Sequence, residues 1–219
     1  MARKRRKSYA RVEVIGVVVL FLTMLVIGIH VIRKQFFDVK ALVQEQKLSY
    51  KEQPELDVEL LTVNPYSRPG IALEKVKGIV VHYTANPGSS AVANRNYFEG
   101  LKDSHITKAS SHFVIGTEGE IVQCIPTAEI SYASNQRNVD TISIECCHMD
   151  KTGKFTKKTY RSLIRLLAYL MGRFSLSTDD IIRHYDVTGK NCPKYYVEHP
   201  EAWKKLKTDT NRFILENGE

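Results

Sequence analysis

Beyond its first 34 residues this chain has almost no net charge. The full sequence carries 32 Lys and Arg against 24 Asp and Glu, a formal charge of +8. Eight of those cations (Arg3, Lys4, Arg5, Arg6, Lys7, Arg11, Arg33, Lys34) and one acid, Glu13, lie in residues 1–34, so 24 cations and 23 acids share the rest. Basic stripes with interleaved aromatics are missing from that larger part, which excludes a nucleic-acid binder. Internal repeats and low-complexity tracts are missing as well. The 219 residues suffice for one well-buried domain plus accessory segments. Cysteine is scarce, with four residues: Cys124, Cys146, Cys147 and Cys192. Four would allow two disulfides in an exported domain. Cys124, Cys146 and Cys147 fall on predicted strands and read as small buried hydrophobes, leaving a Cys124–Cys146 or Cys124–Cys147 bridge open.

The charge at the N-terminus flanks one long apolar run. Val14 to Ile32 contains no Asp, Glu, Lys or Arg. At about 1.5 Å per residue it makes roughly 28 Å of helix, close to the hydrocarbon thickness of a bilayer. Six cations precede the run and two follow it, which predicts a cytoplasmic N-terminus. A cleaved signal peptide needs a shorter apolar region and a small-residue cleavage site, whereas Arg33-Lys34-Gln35-Phe36-Phe37 follows here. The expectation is a basic cytoplasmic flank over 1–13, a single-pass transmembrane signal anchor over 14–32 with His30 at its outer interface, a stem over 33–63, and an extracytoplasmic domain over 64–219. Phe36, Phe37, Val39, Leu42 and Val43 extend the helical pattern until Pro54 and Pro65 break it.

Within the domain, Val76 to Tyr83 reads as a buried strand ending at a Thr84-Ala85-Asn86-Pro87-Gly88 turn. Ser89 or Ser90 caps a helix over Ala91 to Leu101. His112–Gly116 and Glu120–Ile125 flank Thr117-Glu118-Gly119 as a hairpin. Thr141 to Cys147 is another apolar strand, and Tyr160, Leu163, Ile164, Leu167 and Leu170 mark an amphipathic helix over Thr156–Phe174. Asp179–Arg183 leads into a loop, and Glu201–Leu215 is a terminal helix. Strands alternating with helices predict an α/β domain with a central sheet.

Chemistry concentrates in Arg183-His184-Tyr185-Asp186-Val187-Thr188-Gly189-Lys190-Asn191-Cys192-Pro193, which places an imidazole, an ammonium and a thiol in one short stretch. Imidazole and thiolate are the donors zinc prefers, and a catalytic zinc needs three ligands plus an open position. The third candidate is His82, at the end of Gly78-Ile79-Val80-Val81-His82-Tyr83-Thr84. Together with Ser110-Ser111-His112-Phe113 and Ser143-Ile144-Glu145, these residues resemble the zinc-dependent N-acetylmuramoyl-L-alanine amidases, the amidase-2 family that includes the peptidoglycan recognition proteins. The resemblance spans roughly Asn64 to Phe213. It implies a mixed central sheet flanked by helices, one Zn2+ held by His82, His184 and Cys192, and hydrolysis of the amide between N-acetylmuramic acid and L-alanine in peptidoglycan.

Two further roles follow from the same resemblance. Glu145 matches the glutamate of the family's Ser-Ile-Gly-Ile-Glu motif, with Ser143 in place of its glycine, and becomes the general base. Lys190 matches a lysine that stabilises the tetrahedral intermediate. The phage lysozyme-type members carry a catalytic tyrosine where this chain has Ser111, which gives the base role to Glu145. His112 reads as facing the sheet interior, Thr84 and Asn86 as lining the cleft, and His105, His148 and His199 have no assigned partner. The rival reading is a peptidoglycan-binding module or scaffold without catalysis, whose relatives lack the cysteine ligand.

Overall fold

The computed structural model of the protein describes residues 22–33 and 49–218. The chain divides into two compact units, Met1–Lys47 and Leu48–Glu219. In the first, residues 22–33 form a helix, α1, on which Leu22, Leu25, Val26, Ile29 and Ile32 are all exposed. The anchor expected over 14–32 reaches back to Val14, and residues 14–21 lie outside the described residues, as do 1–13 and 34–48. Among the described residues no helix is long and apolar enough to cross a membrane.

The second unit is built on six strands: β1 (Asp57–Val58), β2 (Gly78–Tyr83), β3 (Phe113–Ile115), β4 (Ile121–Gln123), β5 (Thr141–Cys146) and β6 (Ile181–Arg183). They form one mixed sheet in the order β1-β4-β3-β5-β2-β6. β3 and β4 pair antiparallel across the turn at Gly119, whose φ of +93° suits glycine. The other four pairings are parallel. The helices are α2 (Ala91–Ser104), α3 (Lys157–Phe174), α4 (His184–Thr188), α5 (Lys194–Glu198) and α6 (Pro200–Asn217). Ser90 caps α2 through the Ala93 N–H, and Thr156 caps α3 through the Thr159 N–H.

Side-chain alternation divides the sheet into two faces. Ile79 and Val81 of β2 and Ile142, Ile144 and Cys146 of β5 pack with Leu163, Leu167 and Leu170 of α3 and Leu206 and Ile214 of α6 in the larger core. Val114 and Val122 join Ala91 and Phe98 of α2 in a smaller cluster on the other side. Cys124 and Cys147 belong to that smaller cluster, and all four cysteines are free thiols.

The stem predicted over 33–63 is too long at its C-terminal end. Tyr50 and Leu61 are buried, and the Tyr50 ring meets Phe213 edge-on at 4.9 Å. β1 extends the sheet beside β4. Arg95 of α2 donates to the carbonyls of Glu59 and Leu60, and Glu99 accepts from the backbone and hydroxyl of Thr62. This segment is held by backbone pairing and isolated anchors rather than by a periodic apolar pattern, so its sequence resembles a linker.

Candidate metal and catalytic site

β2 lies between β5 and β6 and runs parallel to both. Three C-terminal strand ends therefore meet, the place where open α/β sheets gather ligands. His82 is the penultimate residue of β2, Glu145 is its register partner on β5, and His184 follows β6 directly. With Ile79, Val81, Ile142 and Ile144 committed to the larger core, alternation turns Val80, His82, Ser143 and Glu145 to the opposite face.

The stretch from 184 to 192 is folded back by local contacts. Asp186 accepts from the Arg183 N–H at 2.8 Å and from its guanidinium at 2.6 Å, closing the first turn of α4. The same guanidinium donates to the Tyr196 carbonyl at 3.0 Å and lies over Trp203. Gly189, at φ +78°, ends α4. The Tyr185 N–H then donates to the Cys192 carbonyl at 2.9 Å, bringing the thiol back beside His184.

One donor atom each from His82, His184 and Cys192 lies within 4.8 Å of the others. Cys192 Sγ is 3.8 Å from His82 Nδ1, and the two imidazole centroids are 4.7 Å apart. Donors bound to one zinc at about 2.0–2.3 Å stand less than ~4.6 Å apart, so the cluster is near the size such an ion needs. All three residues are buried. Each imidazole already has one nitrogen engaged: His82 Nε2 with Ser134 Oγ at 3.2 Å, and His184 Nε2 with Asn135 Oδ1 at 3.0 Å. That leaves the other nitrogen of each ring for a ligand bond and fixes ring orientation.

Ser134 and Asn135 belong to no motif of the sequence. Their loop is held by Asn138, whose Oδ1 accepts from the Ala133 and Ser134 N–H groups, and Asn135 adopts φ +53°. The Ser- and Asn-rich stretch before β5 was the available signal, and it reads equally well as an ordinary turn.

Burial lowers the His82 pKa well below its usual value, with His184 and Lys190 adding to the effect; His184 is lowered by burial and by Lys190. Both imidazoles are thus kept in the neutral form that binds metals. Burial and Glu145 push the Cys192 thiol up to about 12, against the Tyr83 N–H and Lys190. Glu145 is raised to about 8 by burial, and Lys190 pulls it down. Its Oε2 and the Thr84 hydroxyl are buried without a hydrogen-bond partner among the described residues. Orphaned polar atoms of this kind mark a place where a ligand completes the bonding.

A cavity of about 300 Å³ joins these groups, lined by His82, Thr84, Glu145, His184, Lys190 and Cys192. Lys190 is exposed at its edge. Asn86 does not line it and holds the Ser89 hydroxyl through its carbonyl. Ser111 and His112 are fully buried and turned away. Ser143 N–H donates to His112 Nδ1, so Nε2 carries the proton and donates to the Glu129 carbonyl at 2.8 Å. Ser111 Oγ donates to the Phe113 and Ser143 carbonyls, and Ser131 and Ser143 share a 2.7 Å hydroxyl contact. His105 stacks on Tyr66, His199 on Tyr195, and His148 lies against Tyr83.

Two histidines and a cysteine beside a glutamate, at the C-terminal edge of a mixed sheet, form a candidate metal site of the kind that zinc hydrolases use. A family model for N-acetylmuramoyl-L-alanine amidase matches residues 72–195, and the chain belongs to that family. It is 40% identical over 147 residues to the N-acetylmuramoyl-L-alanine amidase CwlL of Bacillus licheniformis, covering 62% of this chain and 41% of the relative. It is 34% identical over 168 residues to the amidase BlyA of Bacillus subtilis (strain 168), covering 67% and 44%. The chain thus spans about two fifths of the length of these curated relatives. Among solved structures, a mutant endolysin from Bacillus subtilis superposes with a TM-score of 0.60 at 28% identity, over 70% of this chain and 99% of that one.

Proposed function

We propose that this chain is a membrane-anchored zinc amidase that cleaves the amide between N-acetylmuramic acid and L-alanine in peptidoglycan. The observation that carries the reading is the convergence of His82, His184, Cys192 and Glu145 on one cavity, in a chain of this family. Zinc held by the first three would supply Lewis acidity to an amide carbonyl and lower the pKa of a water molecule to about 7.

Glu145 accepts a proton from the attacking water and returns it to the departing alanine nitrogen. A carboxyl that shares the cavity with the three candidate ligands is placed to serve both directions of transfer. Lys190, at the cavity edge, offers its ammonium to the oxyanion of the tetrahedral intermediate.

The anchoring part rests on the uncharged run Val14–Ile32, its basic flank, and the exposed apolar side chains of α1. In that arrangement 1–13 is cytoplasmic and the domain faces the wall.

The test is mass spectrometry of peptidoglycan after incubation with the purified chain, with and without a zinc chelator. Free stem peptides with new L-alanine amino termini, lost on chelation and in Cys192→Ala, are expected. Peptidoglycan that is bound but left intact would move the assignment to a binding module. Release of the full chain from membranes by an alkaline carbonate wash would overturn the anchor.

A further inference from the structure

A second cavity, larger than the first at about 680 Å³, opens where α3, α5 and α6 meet, and none of the candidate metal or catalytic residues lines it. Its size falls in the range of about 300–1,000 Å³ common for ligand sites. Its floor is aromatic: Phe155 and Tyr196 are buried with ring centroids 4.7 Å apart, and Tyr160 and Tyr195 are half-exposed beside them. Its rim is cationic, formed by Lys154, Lys157, Arg161 and Lys205. Lys205 is taken by Asp209 at 2.5 Å. Lys154, Lys157 and Arg161 are exposed and form no ion pair among the described residues, and Lys154 Nζ stands 5.2 Å over the Tyr195 ring. Three unpaired cations around a ring-lined hollow suit a ligand that stacks a sugar or apolar face and presents carboxylates.

The two cavities have no lining residue in common, and one packing contact lies between them. Tyr83 lines the first, and Gly153 (φ +73°) packs so tightly on the Tyr83 ring that a Cβ there would come within 3.0 Å. Lys194, the first residue of α5, donates to the Lys151 carbonyl at 2.9 Å. The segment that carries Lys154 and Phe155 into the second cavity is thus packed on a strand that ends at the first.

We propose that this second cavity is a non-catalytic subsite for a carboxylate-bearing segment of the peptidoglycan strand. The identity of the polymer rests on the amidase reading. Each uncleaved stem peptide ends in a carboxylate, which supplies the charge the rim lacks.

The test compares the full chain with its Lys157→Glu/Arg161→Glu variant, both loaded with chelator so that no cleavage intervenes. Both positions are exposed, glutamate is favoured at Lys157, the first residue of α3, and the i,i+4 pair is of like charge before and after, so an unchanged thermal midpoint is expected. The probe is insoluble peptidoglycan stripped of phosphodiester-linked polymers by hydrofluoric acid, beside an unstripped sample. The variant should bind the stripped material about tenfold more weakly and with a flatter salt dependence. With metal restored, both proteins should cleave a soluble single muramoyl-peptide at the same rate. Equal binding by the two proteins would overturn the subsite. A defect confined to unstripped material would overturn it too, by making a phosphate polymer the occupant. If the parent chain releases no stem peptide from any substrate, the amidase reading falls, while the binding comparison still decides the subsite.

Discussion

His82 and Glu145 are direct register partners on two adjacent parallel strands. The backbone ladder between β2 and β5 sets the spacing between a metal-ligating group and a carboxyl without recourse to a flexible loop. Sites mounted on strands in this way hold their geometry more tightly than sites carried by loops.

Because of that placement, Glu145→Gln tests proton transfer apart from metal binding. Turnover should fall by about 10²–10⁴, with zinc content by atomic emission unchanged at one per chain. Activity within tenfold of the parent would remove Glu145 from the base role.

Ser134 touches the nitrogen of His82 that faces away from Cys192. Ser134→Ala should weaken zinc binding by about 10–100-fold, measured by competition with a chromogenic chelator. An unchanged affinity would mean that packing alone orients the ring.

His112 is held neutral by its burial, which lowers its pKa to about 4. The unfolded chain takes up this proton near pH 6.5 and the folded one only near 4, so across that window the unfolded state binds more protons. Stability therefore falls as pH drops from about 6.5 to about 4, by as much as about 3 kcal/mol from this group. His82 and His184 act in the same direction, so the measurement is a difference. Urea midpoints of the parent chain minus those of His112→Gln should shrink as pH falls through that window. A constant difference would show that His112 titrates normally.

Gly172 of α3 lies where a Cβ would stand 2.3 Å from the Tyr50 carbonyl oxygen. Gly172→Ala should cost about 1–3 kcal/mol by pushing the 49–50 segment off the helix. Hydrogen exchange should quicken there first. Full stability in the variant would mean that this segment does not dock.

The parts of the fold that could be read from sequence are those whose burial repeats. Ile79-Val80-Val81 and the alternation of β5 announce buried strands, and Leu163, Leu167 and Leu170 announce the inner face of α3. β1 could not be read, because two residues on a sheet edge carry no apolar period. The five residues of α4 are held by the Arg183–Asp186 contact, so the loop expected there is partly helical. His82, His184, Cys192, Glu145 and Lys190 stood out by residue type and context, and the structure brings all five to one cavity. Ser134 and Asn135 did not, since their partners lie about fifty positions away in sequence. Ser111 and Ser143 read as departures from a family pattern. Their hydroxyls turn out to belong to one buried network with Ser131 and His112.

The central position of β2, between two strands that follow it much later in the chain, has a consequence for synthesis. His82 is made early, whereas His184 and Cys192 complete the cluster only when β6 has docked along β2. A nascent or nicked chain therefore lacks a chelating centre, and an ion that binds only the finished cluster draws the folding equilibrium toward it by mass action. Metal supply would then govern how much of the domain persists as well as how fast it works.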